Sequence, residues 1–242
     1  NEGSRGALIS ECAGSDSIVE AFRVMRYSAK FVKPKARVFV CTSSTPGQGK
    51  SFVTRNFAVA QAMTGQRVLL IDADIRKGTL TKYYGGEEGL TNYLADEGGS
   101  VDITAYIRKG ALVENVDFFP AGAVPPNPTE LLMSDRLEAL VNVAKETYDC
   151  IIFDATPAFS VADAEVLSRV AELLLFVVRV GVQDKDFLKD LERMHQNQRL
   201  RNLAIVVNDA DIKSKLHYGY GYGYGYGTKD SECRRKFSLK RK

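Results

Sequence analysis

The chain has 242 residues, 45% of them apolar and 26% charged, which suits one α/β domain with a deep core plus a tail and is short for two independent domains. A formal net charge of +3, with no basic residues interleaved with aromatics along a predicted groove, argues against nucleic acid as a partner. Four dispersed cysteines without a CxxC pair read as buried thiols of a reducing compartment, and the longest apolar run, LLLFVV at 173–178, is too short to span a bilayer.

In chain order, the first predicted helix covers about 16–32. Within DSIVEAFRVMRYSAKF, Glu20, Arg23 and Arg26 recur every three residues and share a broad polar face, while Val19, Phe22 and Met25 turn inward. Taken alone, that face is a solvated one with a weak intrahelical pair. The strand VFVC (38–41) follows, and then TSSTPGQGKS opens a helix over 50–64. A strand, a loop of small residues ending in Gly-Lys-Ser and a helix form the setting of a Walker A phosphate loop. Gly47 and Gly49 let backbone amides turn toward phosphate, and the helix start adds its dipole. Pro46, Gly47, Gln48, Gly49, Lys50, Ser51 and Phe52 are the candidate nucleotide-binding residues, with Lys50 reaching the β and γ phosphates and Ser51 holding Mg²⁺. The first Gly of GxxxxGK[ST] is replaced by Ser44, and Pro46 lies inside the loop.

The strand VLLI (68–71) runs into DADIR, where an extended backbone points Asp72 and Asp74 to the same side. Turn signals at 85–89, 97–100 and 125–128 flank the strand VDFF (116–119), and helices are predicted over 129–147, 161–171 and 184–199. The strand CIIF (150–153) ends in Asp154, the form of a Walker B acid. LLLFVV (173–178) and LAIVV (203–207) complete a set of continuous apolar strands alternating with helices, the pattern of a doubly wound, mostly parallel α/β sheet. Asn208 ends the last of them, where a strand-end Asn can cap its own loop.

In such a sheet ligands bind beyond the carboxyl ends of the strands, where all three motifs fall. Ser51, Asp72, Asp154 and nucleotide phosphates make an oxygen shell suited to Mg²⁺. The two histidines, His195 and His217, lie in none of these motifs, so a histidine-based mechanism is disfavoured.

STPGQGKS, LLIDADIR and IIFDATP together resemble the bacterial tyrosine autokinases of capsule and exopolysaccharide assembly, the BY-kinases. PPNPTELL (125–132), EAFRVMR (20–26) in the ExxRxxR form and the tyrosine-rich C-terminus extend the resemblance over essentially the whole chain. It implies a deviant P-loop NTPase fold that uses ATP and Mg²⁺, with Asp72 accepting the tyrosine proton, Asp74 orienting it, Lys50 and Asp154 completing the catalytic set, and Asn208 at adenine. It further implies a ring-shaped homo-oligomer, an octamer, joined through Glu20, Arg23 and Arg26. A transmembrane activator segment, from the same polypeptide, and a cognate tyrosine phosphatase are the other implied partners, at the cytoplasmic side of the inner membrane. No signal peptide is expected, and a chain opening with Asn is expected to be a soluble cytoplasmic piece of a larger protein. The nearest alternative is a partition-type switch ATPase, whose loop carries an additional Lys where Thr45 stands here.

The expected domain layout is an N-terminal segment (1–14), a P-loop kinase domain (15–212) and a tail (213–242). In the tail Tyr218, Tyr220, Tyr222, Tyr224 and Tyr226 alternate with glycine. Gly disfavours a regular strand, so the row is expected to be a mobile series of phosphoryl acceptors. Each phosphate adds about −1.5 to −2, enough when summed to overturn the chain's small positive charge and loosen a ring by repulsion. The basic end RRKFSLKRK (234–242) reads either as a solvated tail or as a contact for anionic lipid or an acidic partner.

Overall fold

Each of the six predicted apolar runs becomes a strand: β1 (Val38–Ser43), β2 (Val68–Asp72), β4 (Val116–Phe119), β5 (Cys150–Asp154), β6 (Leu173–Arg179) and β7 (Leu203–Asn208). A seventh, β3 (Arg108–Val113), was not legible in RKGALV; its side chains are exposed or half-buried, and its register against β4 slips near Gly110. The computed structural model describes residues 8–14, 16–96, 98 and 102–210, so the tyrosines of the tail lie outside the described residues. The strand order is β3-β4-β2-β5-β1-β6-β7, with every neighbouring pair parallel except β3 with β4.

Alternate residues of each central strand enter separate cores, because successive side chains point to opposite faces. Val38, Leu69, Ile71, Ile151, Phe153 and Phe176 join a core under α4 (Leu90–Ala95), α5 (Pro128–Leu132), α6 (Arg136–Thr147), α7 (Asp163–Leu167) and α8 (Phe187–Gln196). Phe39, Cys41, Leu70, Ile152 and Leu175 face α1 (Ser17–Val32) and α2 (Lys50–Ala62). A short α3 (Thr81–Tyr84) follows the DADIR turn. The single helix expected over 129–147 is two, α5 and α6. Ser134 Oγ bonds the Leu131 carbonyl at 2.8 Å, a local side-chain bond that competes with helix continuation.

This topology decides where a ligand sits. The connection from β1 leads across β5 to β2, whereas the connection from β5 leads back across β1 to β6. The ends of β1 and β5 therefore flank a switch point, where the loops part and leave a crevice. The phosphate loop and Asp154 stand on its two sides.

Phe57, fully buried on α2 and edge-on to Phe39 at 5.2 Å, ties the loop-bearing helix to β1. Phe57→Ala is expected to cost about 3–5 kcal/mol in urea unfolding. A loss below about 1 kcal/mol would show that α2 is anchored elsewhere.

Candidate active site

Between Ser43 and Lys50 the chain turns back over the end of β1, and this requires left-handed backbone at Gly47 (φ 87°) and Gly49 (φ 84°). At Gly49 a side chain would also collide with the Asn208 amide. Helix α2 begins at Lys50, and the first amides of a helix have no carbonyl four residues back to bond, which makes this end an anion-binding surface.

The carboxylate of Asp154 is fully buried and gathers three partners from α2. Lys50 Nζ lies 2.9 Å from Oδ1, Thr54 Oγ1 donates to Oδ1 at 2.7 Å, and Ser51 Oγ donates to Oδ2 at 2.7 Å. A buried carboxylate is tolerable only with such pairing. Thr54 was not anticipated, although its position one turn beyond Lys50, on the sheet-facing side of the helix, could have marked it.

Asp72 stands beside Asp154 in register on the neighbouring strand, and both side chains point toward α2. Its Oδ2 accepts bonds from the Thr81 amide (2.7 Å) and hydroxyl (2.8 Å), whereas Oδ1 is buried without a hydrogen-bond partner among the described residues. Burial, reinforced by the charge of Asp154, pushes the Asp72 carboxyl up to about 7. Asp74 is also raised, mainly by burial, although Lys50 opposes the shift. Among the described residues no trio of His, Cys, Asp or Glu makes a metal cluster. Asp154 and the Ser51 hydroxyl, 2.7 Å apart with the buried Asp72 carboxylate on the adjacent strand, are nonetheless hard oxygen donors of the type Mg²⁺ combines with phosphate, so the residues fit that ion.

Several candidates do structural work as well. Gln48 is buried, and its side chain receives the Arg179 amide at 2.7 Å and donates to Thr45 Oγ1 at 3.1 Å, bracing the loop to β6. Asn208 donates its amide to the Gln48 carbonyl at 2.9 Å, so it holds the loop rather than capping its own turn. Phe52 packs edge-on against Phe22 of α1 at 5.9 Å. Pro46 and Gly47 are exposed at the rim. Arg76, the last residue of DADIR, grips the fully buried Asp163 through two nitrogens at 2.7 and 3.0 Å, and Thr129 bonds both. This clamp fixes the Asp74 turn to α5 and α7.

The expected polar face of α1 needs correction. Glu20 and Arg23 are at the surface and pair at 3.2 Å, but Arg26 is only 7% exposed and donates to the Ala60 carbonyl at 2.6 Å. The end of α2 presents carbonyls without intrahelical partners, and a guanidinium satisfies one of them and suits the helix dipole. Beside Glu20 and Arg23 the outward face carries Val24, Tyr27 and Phe31, the last 89% exposed.

A glycine-shaped loop after β1, Lys50-Ser51 at the head of α2, and acids closing β2 and β5 around a switch point define a P-loop nucleotide-binding domain. The family described as an AAA domain matches residues 36–205. The chain is 38% identical over 188 residues to tyrosine-protein kinase wzc of Salmonella typhimurium strain LT2, covering 76% of this chain and 26% of that protein. Among solved structures, the kinase domain of Escherichia coli tyrosine kinase ETK superimposes with a TM-score of 0.76 at 32% identity, covering 90% of this chain and 86% of that one. The BceF tyrosine kinase domain does so with a TM-score of 0.74 at 35% identity, covering 85% and 84%. The chain belongs to the bacterial tyrosine-kinase family. It spans about a quarter of the length of the curated relatives it matches. No helix among the described residues is long and apolar enough to cross a membrane.

The raised carboxyl of Asp72 has a consequence for stability. The folded state binds this proton more tightly than the unfolded chain, so the stabilisation is complete below the unfolded value near 3.8 and is lost as pH rises through about 7. Without nucleotide or magnesium, Asp72→Asn should therefore melt about 5 °C or more above wild type at pH 8, with a much smaller gap at pH 5. Fluorimetric melts across that range check it, and a gap independent of pH excludes Asp72 as the titrating group.

Proposed function

We propose that this chain is the catalytic domain of an ATP-dependent protein-tyrosine autokinase that phosphorylates its own tail in trans and regulates exopolysaccharide synthesis and export. The observation that carries the reading is Asp72 Oδ1, without a hydrogen-bond partner among the described residues and set beside Asp154 near the phosphate loop. A tyrosine hydroxyl, with an ordinary pKa near 10, is a poor nucleophile until a base is placed to take its proton.

In the proposed reaction the acceptor oxygen attacks the γ-phosphorus of ATP as its proton passes to Asp72. The bond from that phosphorus to the β–γ bridging oxygen breaks, and ADP leaves. Lys50 exchanges Asp154 for phosphate oxygens, and the loop amides hold the charge that spreads over the transferred group. Ser51 and Asp154 would hold Mg²⁺, which when bound would neutralise charge on the nucleotide phosphates. Asp74, fixed through the Arg76 clamp, keeps the turn after Asp72 in place. Asn208 sets the loop against the strand that would carry the base pocket.

Tyr218, Tyr220, Tyr222, Tyr224 and Tyr226 are the proposed acceptors, with glycine between them supplying reach. Trans transfer brings copies together, and the outward face of α1 suits that contact because it sets Val24, Tyr27 and Phe31 beside the Glu20–Arg23 pair. A ring homo-oligomer at the cytoplasmic side of the inner membrane, a transmembrane activator and a cognate phosphatase complete the proposal on the strength of the family.

Lys50→Met and Asp72→Asn proteins, stripped of phosphate, are each expected to regain phosphotyrosine at least about 10²-fold more slowly than wild type with ATP and Mg²⁺. Mass spectrometry of the tail reads the outcome, and full rephosphorylation of Lys50→Met would refute the assignment. For the subunit contact, a Tyr27→Ala/Phe31→Ala variant should shift unphosphorylated protein toward monomer in light scattering, whereas Arg26→Ala should chiefly lower the melting temperature. An unchanged oligomer in the first variant rejects α1 as the interface.

A further inference from the structure

Among the described residues, the carboxylate of Asp72 has one claimed and one unclaimed oxygen, and a single residue does the claiming. Thr81 opens α3 nine residues further on, after the turn at Gly78, which is left-handed at φ 54° and places its amide 2.6 Å from the Asp74 carbonyl. Both the Thr81 amide and its hydroxyl reach Asp72 Oδ2, at 2.7 and 2.8 Å. The same hydroxyl accepts the amide of Ala121, from the segment after β4, at 2.8 Å.

Counting protons settles the directions of these bonds. A hydroxyl has one proton to give; with the Ala121 N–H occupying a lone pair, that proton is available for Asp72 Oδ2. Oδ2 thus receives two donors, and two bonds from one residue also fix the plane of a carboxylate whose terminal torsion is otherwise broad. A proton arriving at Asp72 is directed to Oδ1, the oxygen without a hydrogen-bond partner among the described residues.

We propose that Thr81 is a positioning residue for phosphoryl transfer, holding Asp72 by Oδ2 so that Oδ1 alone faces the acceptor tyrosine and takes its proton. The inference rests on the reading of Asp72 as the proton acceptor. The tyrosine O–H bond breaks as its oxygen bonds the γ-phosphorus, the proton moves to Oδ1, the bond to the β–γ bridging oxygen breaks, and ADP carries that electron pair away. Solvent later removes the proton from Oδ1. Thr81 exchanges no proton; without its hydroxyl one restraint on the carboxylate plane is gone and Ala121 loses its acceptor.

The test compares Thr81→Val, Thr81→Ala and Thr81→Ser with wild type and Asp72→Asn, all stripped of phosphate. Initial rates of autophosphorylation over a range of ATP, a fluorescent-ADP titration and a melt are measured for each. The Val and Ala variants are expected to lose about 10- to 100-fold in kcat while KM for ATP and affinity for ADP stay within about threefold. Ser restores both hydroxyl bonds, so its kcat should stay within about threefold of wild type. If Val unfolds, Ala against Ser decides. A folded hydroxyl-free variant that works at the wild-type rate while Asp72→Asn is inactive overturns the role of Thr81 alone, as does a Ser variant as slow as Ala. An active Asp72→Asn overturns the base assignment, and the role of Thr81 with it.

Discussion

A buried carboxylate needs compensation, and among the described residues Asp154 receives it from the first turn of α2. The ammonium of Lys50 and the hydroxyls of Ser51 and Thr54 converge on its two oxygens. Removing one partner of such a pair leaves an uncompensated charge in a dry interior, at a cost of about 3–5 kcal/mol. The contact therefore docks the start of α2 onto the end of β5, and the intervening phosphate loop is held at both ends. Its shape also depends on the far side, where Asn208 and Gln48 tie it to β7 and β6. Loop, helix and three strand ends are thus joined into one hydrogen-bonded cradle.

That cradle stores unfavourable electrostatics. Two carboxylates in register at the ends of β2 and β5 repel, and burial raises the Asp72 carboxyl until it titrates near neutrality. A stability-optimised fold would not keep that arrangement, and groups perturbed in this way cluster at functional sites. The surrounding framework offsets the strain by over-determining the acids. Thr81 holds Asp72, and the Arg76–Asp163–Thr129 clamp pins the turn that carries Asp74.

The regular parts of the molecule were legible because each carries a short-range signal. Six apolar runs, too short for helices and bounded by turns, read as strands of a parallel sheet, and the helix starts at α1 and α2 followed from periodicity and glycine. Where the signal is weak, the reading failed. RKGALV has neither alternation nor an apolar run, so β3 needed β4 beside it to be visible, and the break at Ser134 arose from a hydroxyl competing with the helix backbone. Arg26 was misplaced for a related reason. Spacing puts it with Glu20 and Arg23, but the uncapped carbonyl that draws it inward lies on another helix, 34 residues further along.

Local sequence by itself determined the fold class and singled out Lys50, Ser51, Asp72 and Asp154 as candidates, because backbone propensity and the hard-oxygen chemistry of phosphate and Mg²⁺ act through residue type at fixed spacing. It could not reveal which oxygen of Asp72 is open, that Thr54 and Thr81 are partners of the two acids, or that Gln48 and Asn208 brace the loop. Those facts concern residues 9 to 160 positions apart, joined by bonds only a few ångströms long. Tertiary structure decided them, since hydrogen bonds depend on where strand ends and helix starts meet in space, and no periodicity in the chain records that meeting.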